Sequence, residues 1–263
     1  MTSQNPLRAI WQSGRASYGG WTGSPDPVLA EWLASCGFDE VLVDQQHGTI
    51  EPNQVGAIFT AIHAQGAIPI TRVPANDAAA IGKCLDLGAQ AIVVPMVNTA
   101  EEAARAVAAC RYPPNGVRSM GPIRAHLIHG FELADLQSPA VIVMVETAAG
   151  LANVDEIAAT PGVDAIYVGP ADLSIAIGVP FDRDARTPEQ SKQHADAVAR
   201  ILAACQREGI VAGMNCPNGD IARGYVEQGF RMVTVTADAD MIPRDGMREL
   251  AAAKGANTGQ APR

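Results

Sequence analysis

The stretch Val141–Gly178, VIVMVETAAGLANVDEIAATPGVDAIYVGPADLSIAIG, reads as strand, helix, strand and loop. The first strand, Val141–Val145, ends on Glu146. The second, Ala165–Val168, runs into Gly169-Pro170-Ala171-Asp172. Two strands joined through a helix lie parallel, so Glu146 and Asp172 are expected at the same end of one sheet. An apolar strand has no structural need for a carboxylate at its tip. Two carboxylates on neighbouring tips read as the ligands of a hard cation.

The same pattern repeats outward from this stretch. A helix-periodic segment ends at a glycine, and a short apolar run follows: SCGFDEVLVD, AQGAIPITRV, DLGAQAIVVPMV, TPGVDAIYVG, REGIVAGMN and EQGFRMVTVT. The runs are nearly continuous in apolar character, as in strands covered on both faces. With Ser17–Trp21 and Val141–Val145 they make eight strands. Helices are expected over 52–64, 77–87, 100–110, 188–208 and 218–228. Eight alternations in 263 residues predict a single α/β domain, a (β/α)8 TIM barrel over residues 1–254, with 255–263 as a flexible tail. An open doubly wound sheet is the alternative, but neither GxGxxG nor a P-loop is present. The irregular stretch Tyr112–Ser138 is too long for a plain connection and predicts a functional loop or an inserted short helix.

Composition narrows the function. Nineteen basic against 28 acidic residues give a net charge of −9, with no basic cluster, which argues against nucleic acid and anionic membranes. The first residues lack the apolar core of a signal peptide, and no apolar run is long enough to span a bilayer. Five scattered cysteines without CxxC read as reduced thiols of a cytoplasmic protein.

Barrel chemistry sits at the C-terminal strand ends. Collected there are Trp21, then Asp44-Gln45-Gln46-His47, Arg72, Glu146, Asp172 and Asn215. Two carboxylates for a metal, a histidine beside an aspartate and an arginine suit metal-assisted deprotonation next to a carbonyl. Plainer readings stand beside these. Glu146 could cap the next helix or pair with Arg72, and Asp172 could cap LSIAIG. Arg72 could be a structural ion pair, His47 a loop histidine and Trp21 core packing. His63, His126, His129 and His194 read as surface or packing residues. Arg118 and Arg124 are weak candidates for holding a substrate carboxylate. No lysine lies on a strand end, so a Schiff-base mechanism is not expected.

Six segments carry a family resemblance: GFDEVLVDQQH, TRVPAND, LDLGAQAIVVPMVNTAEEA, RYPPNGVRS, VETAAGLANVDEI and YVGPADLS. In this order they resemble the HpcH/HpaI family of metal-dependent class II pyruvate aldolases, from about Gly19 to Leu250. The resemblance implies a barrel in a homo-oligomer, a hexamer or trimer, with the C-terminal helix exchanged between subunits. It implies reversible aldol cleavage between pyruvate, or another 2-keto acid, and an aldehyde, with Mg2+, Mn2+ or Co2+. Matched by position, Glu146 and Asp172 are metal ligands, His47 the general base and Arg72 the enolate-stabilising residue. Asp86 matches an acid that raises the basicity of the histidine, across a subunit interface. Ala171 matches a backbone contact to the substrate carboxylate; Trp21, Asp44, Gln46 and Met144 fall in the substrate-binding set. The chain departs from the pattern at Gln46, where many members have glutamate, and at Met144, where glutamine is usual. DQQHG with RSMGP resembles members that accept varied donors, including hydroxypyruvate. Oxaloacetate decarboxylation, acyl-CoA cleavage and idle keto-acid binding are the alternatives.

Overall fold

A computed structural model describes residues 5–130, 132–136 and 139–255. Eight parallel strands close into a barrel in sequence order. They are β1 (Ser17–Thr22), β2 (Glu40–Asp44), β3 (Ile68–Arg72), β4 (Ala91–Val94), β5 (Ala140–Val145), β6 (Ala165–Val168), β7 (Val211–Asn215) and β8 (Met232–Ala237). The (β/α)8 barrel expected from the sequence is therefore present; of the expected tail at 255–263, Gly255 is described, in a turn, and the rest lies outside the described residues.

Alternation along each strand divides the core in two. Leu42, Ile70, Val93, Ile142, Met144 and Tyr167 pack together inside the barrel. Their chain neighbours Val41, Val43, Ile92, Val141, Val143, Ile166 and Val168 pack outward against the helices. Side chains two apart share a face. The interior row of β2 therefore continues to Asp44, that of β3 to Arg72, and that of β5 past Met144 to Glu146. The register between β1 and β8 shifts at Gly19/Gly20, just before Trp21, a bulge of the kind that re-aims a strand end.

The helices follow the expected pattern with shifted starts. The first begins at Val55 rather than at Pro52, because Glu51–Gln54 forms a turn in which the Gln54 N–H donates to the Glu51 carbonyl. Asp77, Thr99 and Asn218 stand outside their helices as side-chain caps. Helix Pro188–Glu208 has the expected bounds and a capping box from Thr187 and Gln190. It ends at Gly209, whose φ of 69° is the left-handed conformation that glycine adopts without strain.

The long β4–β5 connection holds the two short helices Ala125–His129 and Leu133–Leu136. Arg118 fastens it. That side chain is buried, donates to the Leu136 carbonyl and to Asp86, and lies over the Tyr112 ring. Arg124 donates to the Leu87 carbonyl. Both arginines hold this connection in place and neither lines the barrel mouth. His126 meets the Pro122 carbonyl, and the His129 side chain lies outside the described residues. His194 is buried, as packing requires, and His63 is exposed. No helix among the described residues is long and apolar enough to cross a membrane.

Candidate active site

A cavity of about 280 Å3 opens at the C-terminal end of the barrel. Of the residues singled out from the sequence, Trp21, His47, Arg72, Met144, Glu146, Ala171, Asp172 and Asn215 line it. Asp44, Gln46 and Asp86 do not.

Asp44 and Arg72 are register partners on β2 and β3, and their side chains meet along that rung. Arg72 Nε donates to Asp44 Oδ1 at 2.9 Å and Nη2 donates to Oδ2 at 2.7 Å. The bidentate pair is buried, and the guanidinium also lies 4.7 Å from the Trp21 ring centre. The Gln46 and His47 N–H groups donate to Asp44 Oδ1 as well. Burial works to raise the Asp44 carboxyl. The Arg72 charge and these donors outweigh it and hold the group below its ordinary range. Asp44 thus fixes Arg72 and shapes the loop that carries His47. Gln46 belongs to that loop, with its Oε1 buried and, among the described residues, unpartnered. His47 itself is exposed at the cavity.

Glu146 neither caps a helix nor pairs with Arg72. Thr147 caps the next helix by accepting from the Gly150 N–H, and Arg72 is committed to Asp44. The Glu146 carboxylate is buried and accepts from the Met96 N–H at 2.8 Å. Met96 holds φ at 58°, a left-handed backbone rare outside glycine. Such backbone strain is found where local structure enforces a functional geometry. On the other side lies Gly169, where any Cβ would collide with Glu146 Oε2. Burial chiefly, and the nearby Asp172 charge as well, push the Glu146 carboxyl up against the opposing Met96 donor. Asp172 lies in the first turn of helix Pro170–Ala176, whose cap position is Gly169 with no side-chain cap.

Two carboxylates therefore face one cavity with no cationic side chain among the described residues paired to them. A divalent ion fits that donor set. Among the described residues no three His, Cys, Asp or Glu side chains gather in a metal-holding group. Water or substrate oxygens would complete the shell, as is common for Mg2+. Asp86, on the helix after β3, lies in a separate cavity beside Lys83 and Ser119, and its Oδ1 accepts from Arg118 at 2.8 Å.

Three features of the site escape sequence reading. The Met96 N–H and the Gly169 void depend on how separate loops meet. Asp240 lines the cavity from the helix after β8. Its signal was its place just beyond the β8 end, where a search of strand tips would have met it.

A family model described as HpcH/HpaI aldolase/citrate lyase matches residues 17–243. A hydroxypyruvate/pyruvate aldolase of Rhizorhabdus wittichii is 35% identical over 95% of this chain and 99% of its own. A 2-dehydro-3,6-dideoxy-6-sulfogluconate aldolase of Pseudomonas putida is 37% identical over 91% of this chain and 93% of its own. The crystal structure of a family protein from Burkholderia cenocepacia superposes with a TM-score of 0.86 at 34% identity, covering 95% of this chain and all of that one. The chain belongs to the HpcH/HpaI aldolase/citrate lyase family.

Proposed function

We propose that this protein is a divalent-metal-dependent aldolase that joins pyruvate, or a 3-substituted pyruvate such as hydroxypyruvate, reversibly to an aldehyde. The observation that carries the reading is the convergence of Glu146 and Asp172 on a cavity whose wall includes Arg72 and His47. The relatives named as hydroxypyruvate/pyruvate aldolases favour the keto-acid class.

Glu146 and Asp172 are the residues that would hold Mg2+, Mn2+ or Co2+. The ion would supply positive charge that stabilises the enolate form of the donor. The first turn of helix Pro170–Ala176 leaves N–H groups without helical acceptors, so the Ala171 backbone suits a substrate carboxylate. In the cleavage direction His47 takes the proton of the 4-hydroxyl while the bond between C3 and C4 breaks. Arg72 holds the oxygen on which enolate charge develops, its fork kept in place by Asp44. Trp21 and Met144 form apolar wall and keep water from that oxygen. Asp86, paired with Arg118 in its own protomer and absent from the cavity, would reach a histidine only in a neighbouring copy.

A cytoplasmic homo-oligomer, hexamer or trimer, with its last helix exchanged, completes this reading. Exposed Ile242, Met247 and Leu250 on helix Asp238–Ala253 support it. Deleting the chain after Met241 is expected to dissociate the assembly in light scattering; an intact assembly counts against exchange.

The test is turnover. Protein with Mg2+, hydroxypyruvate or pyruvate and glycolaldehyde should yield a new hydroxy-keto acid by chromatography, and none after chelation. Absence of product with both donors and a panel of aldehydes contradicts the reading.

A further inference from the structure

We propose that Asp240 selects the acceptor: it favours neutral, hydroxyl-bearing aldehydes and disfavours those carrying a second anionic group. This rests on the aldolase reading above and names the substrate class at the same site.

Charge around the cavity supports it. The wall holds three carboxylates, Glu146, Asp172 and Asp240, and one guanidinium, Arg72. Arg72 is already matched by Asp44 through two hydrogen bonds. A divalent ion would match Glu146 and Asp172, and a keto-acid donor brings a further negative charge. Asp240 is left over. It belongs to no metal-holding group of three among the described residues. Among the described residues it lies outside the ion pairs that its neighbours on the same helix make, such as Arg248 with Asp245.

Its neighbours fit the same role. Asn215 and Ala237 line the same cavity, and an amide and a carboxylate in one cavity offer both donor and acceptor to hydroxyls. An acceptor carboxylate entering there would meet like charge, a repulsion that salt screens because the group faces solvent. Rejection by an uncompensated charge is an ordinary route to specificity. Asp240 is exposed, so it acts at the mouth of the cavity, where an aldehyde's distal end would lie, rather than at the reacting carbon.

The experiment compares kcat/KM for glycolaldehyde and glyoxylate, with pyruvate and Mg2+ held fixed, in wild type, Asp240→Asn and Asp240→Glu. The wild type should prefer glycolaldehyde. Asp240→Asn should move the ratio about tenfold toward glyoxylate, mainly through the aldehyde KM, and Asp240→Glu should keep the wild-type ratio. The wild-type preference should shrink as ionic strength rises. A ratio within twofold of wild type in Asp240→Asn overturns the inference. Pyruvate C3 proton exchange by the wild type, which needs no aldehyde, separates the two levels. Exchange with an unmoved ratio overturns the role of Asp240 alone, and no exchange overturns the aldolase reading with it.

Discussion

Glu40 and Glu146 are both buried carboxylic acids of the barrel, at opposite ends of it, and burial pushes both up. Glu40 opens β2 at the N-terminal end. Its Oε1 accepts from the Ser17 hydroxyl at 3.3 Å, its Oε2 has no partner among the described residues, and its carboxyl is pushed up to about 8. It lines none of the cavities described above. Glu146 ends β5 at the opposite mouth. A strained N–H reaches it from one side, a glycine makes room on the other, and Asp172 faces the same space. Burial is common to both; convergence belongs to Glu146 alone. A perturbed acid becomes a candidate site when separate elements are shaped around it and it opens on a cavity.

Substitutions can break that comparison. Glu146→Gln should lower metal-dependent kcat/KM by about a thousandfold or more, on the scale of losing a main electrostatic contributor, with little change in unfolding midpoint. Glu40→Gln should leave kcat/KM within twofold. Equal losses in both would dissolve the distinction.

Asp44 is another buried carboxylate at the Glu146 mouth, but it is matched. Asp44→Asn leaves Arg72 buried without its counter-charge, and urea unfolding should report a loss of about 3–5 kcal/mol. A stability unchanged by Asp44→Asn would show that the pair is not an anchor.

Glu40 should declare itself through pH. Its folded value near 8 exceeds the ordinary 4.5, so the fold favours the neutral acid. Its contribution to stability is complete below pH 4.5 and is lost as pH rises toward 8. Glu40→Gln removes that loss. Its stability relative to wild type should rise by about 3 kcal/mol between pH 4.5 and pH 7. A difference that stays flat with pH would mean that Glu40 ionises freely.

Two glycines give the smallest contrast. Gly169→Ala, pressing on Glu146 Oε2, should cost about a hundredfold in kcat/KM, the scale of a displaced reacting group. Gly19→Ala, whose Cβ would lie 2.9 Å from Glu40 Oε1, should lower stability and spare turnover.

Much of this was legible in the sequence. Helices ending at glycines before apolar runs announced six strands, two further apolar runs completed the eight, and strand tips announced Trp21, His47, Arg72, Glu146 and Asp172, because one barrel end collects them. Helix starts were less legible: the Pro52 start gave way to a turn that only its hydrogen bonds reveal. Asp44 looked like a substrate contact, since its pairing with Arg72 depends on the register of β2 against β3. The loop arginines Arg118 and Arg124 looked available for substrate, and their carbonyl partners lie far away in the chain. Met96 and Gly169 carry no local signal at all. Their role exists only once the β4 and β6 loops close on Glu146.

The most direct measurement is proton NMR of pyruvate in heavy water with chelator-treated protein, before and after Mg2+, for wild type and Glu146→Gln. The expected result is loss of the C3 proton signal only in wild type and only with Mg2+. Equal exchange by Glu146→Gln, or no exchange by the wild type with pyruvate and then with hydroxypyruvate, would contradict the assignment of this barrel mouth to metal-assisted enolate chemistry.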